Sequence, residues 1–130
     1  MKNIIPYGKQ KIFNSDFSEI SKTLKSEFIT NGEYVKKFEN SFSKYTKAKY
    51  SVSCSSGTAA IDLALKSIGL KKNDNIIIPS INFIAAANMA RLIGANIFLS
   101  DVDKFTGQMR PVDLINCIKF YKLKKIKAFF

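Results

Sequence analysis

The sequence predicts an α/β fold, with strands and helices alternating around a mostly parallel sheet behind an amino-terminal helical arm. Three observations carry this prediction. Residues 16–28 and 33–45 place apolar side chains at steps of three and four, the period of a helix with one buried face. Beyond residue 50, short apolar runs alternate with helical patterns. Ile76-Ile77-Ile78 is apolar at every position, the mark of a strand covered on both faces, as in parallel sheets. The organisation expected is therefore an arm with two helices over 1–49 and an α/β layer over 50–130.

The elements follow in order. Pro6 and Gly8 break regular structure over 1–14. A helix over 16–28 carries Phe17, Ile20, Leu24 and Phe28, with Ser15 or Asp16 as its cap. Thr30-Asn31-Gly32 is a turn, and the second helix carries Val35, Phe38, Phe42 and Tyr45. A strand is expected at 50–54. A helix follows over about 57–68, with Ile61, Leu65 and Ile68 on one face and Gly69 closing it. Asn73-Asp74 turns the chain into the strand at 76–78. A small-residue helix from Phe83 to Leu92 ends at Gly94, and a third strand spans Ala95 to Leu99. Pro111 suits the first turn of a helix reaching about Tyr121, and a fourth strand begins at Ile126. A parallel strand is ordinarily followed by a covering crossover, so the domain is expected to continue past Phe130 and the chain to be a fragment.

Composition narrows the chemistry. The 130 residues carry no histidine, which excludes Ser-His and Cys-His nucleophilic mechanisms within this chain and removes the commonest metal ligand. No metal site is expected. The net charge of +11 invites a nucleic-acid reading, but every basic residue except Arg91 and Arg110 is a lysine, scattered along the chain. Lysine lacks the planar fork that reads phosphates and bases best, so these charges read as solvated faces. Cys54 and Cys117 stand alone and read as buried thiols of a reducing compartment. No apolar run reaches membrane-spanning length and no secretory leader is evident, so a cytoplasmic protein is expected.

Chemistry is most legible at Ser55-Ser56-Gly57-Thr58-Ala59-Ala60. Small polar residues stand there at the entrance of an Ala/Leu-rich helix. Free backbone N–H groups at a helix start, with a glycine permitting close approach, make an anion cradle. The same residues are also satisfied by a plain capped helix with Ser56 as N-cap. Asp101 and Asp103 could form a carboxylate pair for acid–base or metal work. Two carboxylates two residues apart after a strand more often cap a turn and pair with nearby lysines. Asn88 and Arg91 read as packing and surface residues within their helix.

Five segments in register resemble the DegT/DnrJ/EryC1/StrS family of sugar aminotransferases. They are Ile5 to Gln10; Phe28 to Gly32 with Val35, Phe38 and Glu39; Ser55 to Ala60; Ile78 to Phe83 with Ala87 and Asn88; and Asp101 to Asp103 with Thr106, Gly107 and Pro111. The resemblance implies the large domain of a fold-type-I, pyridoxal phosphate-dependent transferase. It implies that the backbones of Gly57, Thr58 and Ala59 and the Thr58 hydroxyl hold the cofactor phosphate. It implies that Phe83 stacks on the pyridine ring, and that Tyr7, Thr30 and Gly32 approach the sugar nucleotide, partly across a dimer interface. The opening Pro6-Tyr7-Gly8-Lys9-Gln10 looks most like the branch that aminates UDP-linked 4-keto-6-deoxy-N-acetylhexosamines for nonulosonic acids such as pseudaminic acid.

A complete family member transfers an amino group, typically from glutamate, to a UDP- or dTDP-linked keto sugar in polysaccharide or nonulosonic acid biosynthesis, and is expected to be a homodimer. The resemblance places the Schiff-base lysine and the aspartate that pairs with the pyridinium beyond Phe130. No lysine here sits in the family's lysine context. The chain is thus expected to have no catalytic residue of its own and to be inactive alone. A non-catalytic nucleotide-sugar-binding or dimer-partner module is the alternative, and a dehydratase relative stays open.

Overall fold

A computed structural model describes residues 8–130. Tyr7 therefore lies outside the described residues. The chain divides into two compact units, one ending at Ser53 and the other running from Cys54 to Phe130.

The first unit holds α1 (Asn14–Leu24) and α2 (Glu33–Thr46). None of its described residues is buried. The cap of α1 differs from the expectation: Phe13 is the N-cap, and Asp16 sits three residues in, where its carboxylate accepts the Phe13 N–H at 2.8 Å. An acid in the first turn also meets the positive end of the helix dipole. The helix stops at Leu24, short of the predicted residue 28. There the Ser26 hydroxyl donates to the Thr23 carbonyl at 2.6 Å and the Lys25 N–H folds back to Ser21 and Lys22, closing the last turn. Asn31 takes a left-handed φ of 52° in the turn that follows. Gly32 then caps α2, and a Cβ there would meet the Phe28 carbonyl oxygen at 2.3 Å, so only glycine fits.

The second unit is the α/β layer. It contains α3 (Gly57–Ser67), β1 (Asn75–Pro79), α4 (Ala85–Ile93), β2 (Asn96–Ser100), α5 (Pro111–Phe120) and β3 (Ala128–Phe129). The strands form one parallel sheet in the order β2-β1-β3. Four strands were expected and three form. Residues 50–54 are irregular and pair with no strand among the described residues, and Val52 is 77% exposed. Their β-branched and aromatic alternation is real, yet a strand exists only when a neighbour takes its backbone groups.

β1 is central, and Ile76, Ile77 and Ile78 are all buried. Ile76 and Ile78 pack on Leu65 and Leu70 from the α3 region and on Ala86 and Ala90 of α4. Side chains alternate along a strand, so Ile77 faces the other side with its register partner Phe98. The Phe98 ring meets Tyr121, just past α5, at 5.1 Å between centroids. The two crossover helices therefore cover opposite faces, as right-handed connections running in opposite directions across a sheet produce. Each fully buried isoleucine contributes about 1.5–3 kcal/mol.

Glycines end α3 and α4 in the same way. Gly69 (φ 68°) and Gly94 (φ 87°) are left-handed. Behind them, Leu70 N–H donates to the Leu65 carbonyl and Ala95 N–H to the Ala90 carbonyl, the six-to-one bond of a Schellman stop. At the amino end of the sheet, Asn75 ties β2 and the segment leading into β3. Its side-chain oxygen accepts from Asn96 at 3.1 Å, and its side-chain NH2 donates to the Lys125 carbonyl at 2.8 Å.

Of the two cysteines, only Cys117 is buried; Cys54 is exposed, contrary to expectation. Cys54 lies in the irregular run ahead of α3, where its thiol donates to the Ser56 carbonyl at 3.4 Å. Burial on α5 pushes the Cys117 thiol above its ordinary range.

Candidate functional site

The site is built at the amino end of α3. Ser56 is extended, and its hydroxyl accepts the Ala59 N–H at 3.1 Å. Its carbonyl accepts the Ala60 N–H at 3.0 Å, which starts the helical ladder. The Gly57 and Thr58 N–H groups donate to nothing among the described residues. Both the capped-helix reading and the cradle reading thus describe one geometry: the cap uses one donor and leaves two facing outward. A Cβ built on Gly57 would meet no atom within 4 Å, so open space lies beside Gly57. A phosphate oxygen suits this arrangement, since N–H groups and the helix dipole both favour an anion there.

Topology sets the other half of the site. A short connection returns the chain from the end of α3 to the start of β1, so α3 and β1 run in opposite senses. The amino end of α3 therefore lies toward the carboxyl ends of the strands. There β1 ends at Pro79 and gives way to Ser80-Ile81-Asn82-Phe83. The Asn82 side-chain oxygen accepts the Phe83 N–H at 2.7 Å and fixes the turn. Phe83 is 71% exposed, an aromatic face free to stack on a flat ring. Gly57, Thr58, Ala59 and Phe83 are thus gathered at one end of one sheet. The order β2-β1-β3 also reverses direction at β1, and ligands of open α/β sheets bind outside the carboxyl ends at such a point.

Thr30 and Gly32 belong to the first unit, in the turn before α2. In that unit Glu39 accepts both the backbone N–H (2.7 Å) and the hydroxyl (2.8 Å) of Ser53. These bonds, the backbone one first, hold its carboxyl below the usual range.

The Asp101–Asp103 segment differs in its partners. Asp103 does cap a turn, accepting from the N–H groups of Phe105 and Thr106 and the Thr106 hydroxyl. Its partner is Arg110 at 2.8 Å, not a lysine. Arg110 also places two nitrogens on Asp113, at 2.9 and 3.1 Å, and Asp113 accepts the Arg110 N–H at 3.0 Å. The Thr106 N–H is the main cause that lowers the Asp103 carboxyl, and the Arg110 guanidinium the main cause for Asp113. Sequence reasoning missed this latch. The spacing of Arg110 to Asp113 was its one visible signal. Among the described residues, no group of three or more metal-ligating side chains forms, and no helix is long and apolar enough to cross a membrane.

This parallel α/β layer is shared with solved pyridoxal phosphate-dependent sugar aminotransferases. The chain belongs to the DegT/DnrJ/EryC1/StrS aminotransferase family, whose model matches residues 10–126. It is 32% identical over 111 residues to GDP-perosamine synthase of Escherichia coli O157:H7, covering 85% of this chain and 30% of that protein. It is 33% identical over 112 residues to the spore coat polysaccharide biosynthesis protein SpsC of Bacillus subtilis strain 168, covering 86% and 29%. Among solved structures it is similar to Spr1654 of Streptococcus pneumoniae, assigned as a sugar aminotransferase, in its PLP-form. There the TM-score is 0.79 at 29% identity, over 88% of this chain and 29% of that one. The chain thus spans about three tenths of the length of the curated relatives it matches.

Proposed function

We propose that this chain supplies the phosphate-holding and ring-stacking part of a nucleotide-sugar aminotransferase. The observation that carries the reading is the pair of unpartnered N–H groups on Gly57 and Thr58 at the same end of the sheet as the exposed Phe83. Pyridoxal phosphate, when bound, supplies the electron sink for amino transfer. The chain's own residues bind and orient. Gly57, Thr58 and Ala59 hold the phosphate by backbone N–H groups, with Ala59 released from Ser56 or shared with it, and the Thr58 hydroxyl adds a further donor. Phe83 sets the plane of the ring by offset stacking. Tyr7, Thr30 and Gly32 approach the sugar nucleotide.

The substrate proposed is a 4-keto-6-deoxy sugar nucleotide with glutamate as amino donor, acted on by a homodimer in the cytoplasm. The finer reading, a UDP-linked N-acetylhexosamine on the route to a nonulosonic acid, rests on Pro6 to Gln10 alone. Amino transfer by this chain alone is not expected, because no lysine in it matches the family's Schiff-base context.

Isothermal titration with pyridoxal phosphate and with pyridoxal tests the phosphate cradle. Binding of the first and not the second supports it; equal binding overturns it. Borohydride reduction followed by peptide mass spectrometry tests the catalytic part. Scattered, substoichiometric pyridoxyl-lysines are expected, and one stoichiometric adduct at a single lysine would overturn the claim of inactivity.

A further inference from the structure

Lysines scattered along the sequence are gathered by the fold of the second unit. Its three helices all end at the amino ends of the strands, because each returns the chain to the start of a parallel strand. Lys66, Arg91 and Lys119 stand in their last turns, where the negative end of the helix dipole favours a cation. The loops at that end add Lys71, Lys72, Lys122, Lys124, Lys125 and Lys127, all exposed. These loops are held close together. The Asn75 side-chain NH2 donates to the Lys125 carbonyl at 2.8 Å, and Lys124, Lys125 and Lys127 line one recess with Asn73, Asp74 and Asn75. None of the loop lysines forms an ion pair among the described residues. Asp74 is the one acid in these loops, and its carboxylate accepts the Lys71 backbone N–H at 2.9 Å.

The opposite end of the same sheet has the reverse balance. Asp101, Asp103 and Asp113 lie there with Lys104 and Arg110, and Arg110 is spent on Asp103 and Asp113. Charge in this unit is therefore divided along the strand axis. Leu92 and Phe120, each 79% exposed, flank the cationic rim at the ends of α4 and α5. Clustered lysines beside exposed apolar side chains fit an anionic bilayer, whose phosphates meet the ammonium groups while the apolar side chains enter the interface. A rim this poor in arginine lacks the fork that reads nucleic-acid bases. We propose that the amino-end rim of the sheet docks on an anionic lipid surface, with the start of α3 and Phe83 at the end turned away from it. Such docking is peripheral, since no helix among the described residues is long and apolar enough to cross a membrane. It stands independently of the cofactor and sugar readings above.

The test is sedimentation of the 130-residue chain with vesicles of phosphatidylcholine alone and of phosphatidylcholine mixed with phosphatidylglycerol. Binding is expected only where phosphatidylglycerol is present, and it should fall steeply with salt. Lys124→Gln, Lys125→Gln and Lys127→Gln together should weaken it by about a hundredfold, roughly fivefold for each lysine. Lys36→Gln, Lys44→Gln and Lys49→Gln, the same loss of charge in the first unit, should weaken it by less than about threefold, since charges held away from the surface are screened. Equal losses in the two triple variants would mean that net charge alone binds, and they overturn the docking face, as does an absence of binding. The chain has no tryptophan, so Phe120→Trp supplies a single reporter beside the rim. Its emission should shift to the blue on phosphatidylglycerol vesicles and stay in place with duplex DNA. An unmoved emission on the vesicles, or tighter binding to DNA than to the vesicles, overturns the lipid assignment.

Discussion

Asp103 and Arg110 meet at 2.8 Å across the connection from β2 to α5, and the same guanidinium grips Asp113 in the first turn of α5. One side chain thereby staples a loop to a helix start. Arg110→Ala should lower the thermal midpoint, and Arg110→Lys should recover only part of it, because an ammonium cannot reproduce the planar two-point pair. Thermal unfolding followed by circular dichroism checks the ranking; equal behaviour of the two variants would show that the fork is unimportant.

The same pair sets an acid dependence. Both carboxyls are depressed in the folded state, so their stabilisation is full above the unfolded value of about 4 and is lost as pH falls through the lower folded values. Urea midpoints measured from neutrality into the acid range should fall steeply below about pH 4. The double variant Asp103→Asn, Asp113→Asn should be less stable at neutrality and show a flatter acid limb.

Ser56 serves the fold as much as the site. Ser56→Ala removes the acceptor of the Ala59 N–H and should cost about 1 kcal/mol, as N-cap losses do. Ser56→Asp should keep the cap, yet its charge would repel a phosphate at the cradle. A urea melt beside a pyridoxal phosphate titration separates the two effects.

Core and surface leucines should differ sharply. Leu65 is 2% exposed and sits in the cluster with Ile76 and Ala90. Leu65→Ala should cost about 2–5 kcal/mol. Leu92, on α4 but 79% exposed, should tolerate alanine within about 0.5 kcal/mol. Equal losses in chemical denaturation would contradict the packing described.

Phe83→Ala isolates function from folding. The ring contributes little to the core, so the urea midpoint should hardly move, while pyridoxal phosphate affinity should fall by about three- to tenfold. Phe83→Tyr should restore affinity, since it keeps the aromatic face.

Much of this was legible in the sequence because the relevant signals are local. The apolar run Ile76-Ile77-Ile78 reports burial on both faces wherever the sheet lies, and Gly69 and Gly94 announce helix ends through backbone freedom that other residues lack. The cap of α3 was legible for the same reason, since Ser56 acts on its own helix. What failed was non-local or misattributed. The run Tyr50 to Cys54 has strand chemistry, but pairing depends on a neighbour that sequence does not display. Both Asp16 and Asp113 work from the third helical position back toward an N-cap, Phe13 and Arg110, that has no accepting side chain. Asp16 was therefore read as the cap itself, and Asp113 was passed over. Cys54 was read as buried because it stands alone like Cys117, but it lies in the irregular run ahead of α3 and is exposed.

Asn75 fixes the register of the sheet from its amino end. A single amide reaches β2 and the segment leading into β3, at the amino end of the sheet. A slip of one residue in either neighbour would break one of its two bonds and turn the isoleucines of β1 out of alignment. Alignment is thus pinned at the rear of the sheet. The loops at the front, from Ser80 to Phe83 and from Asp101 to Arg110, are relieved of that duty. They can change in length and sequence while the strands beneath keep their places.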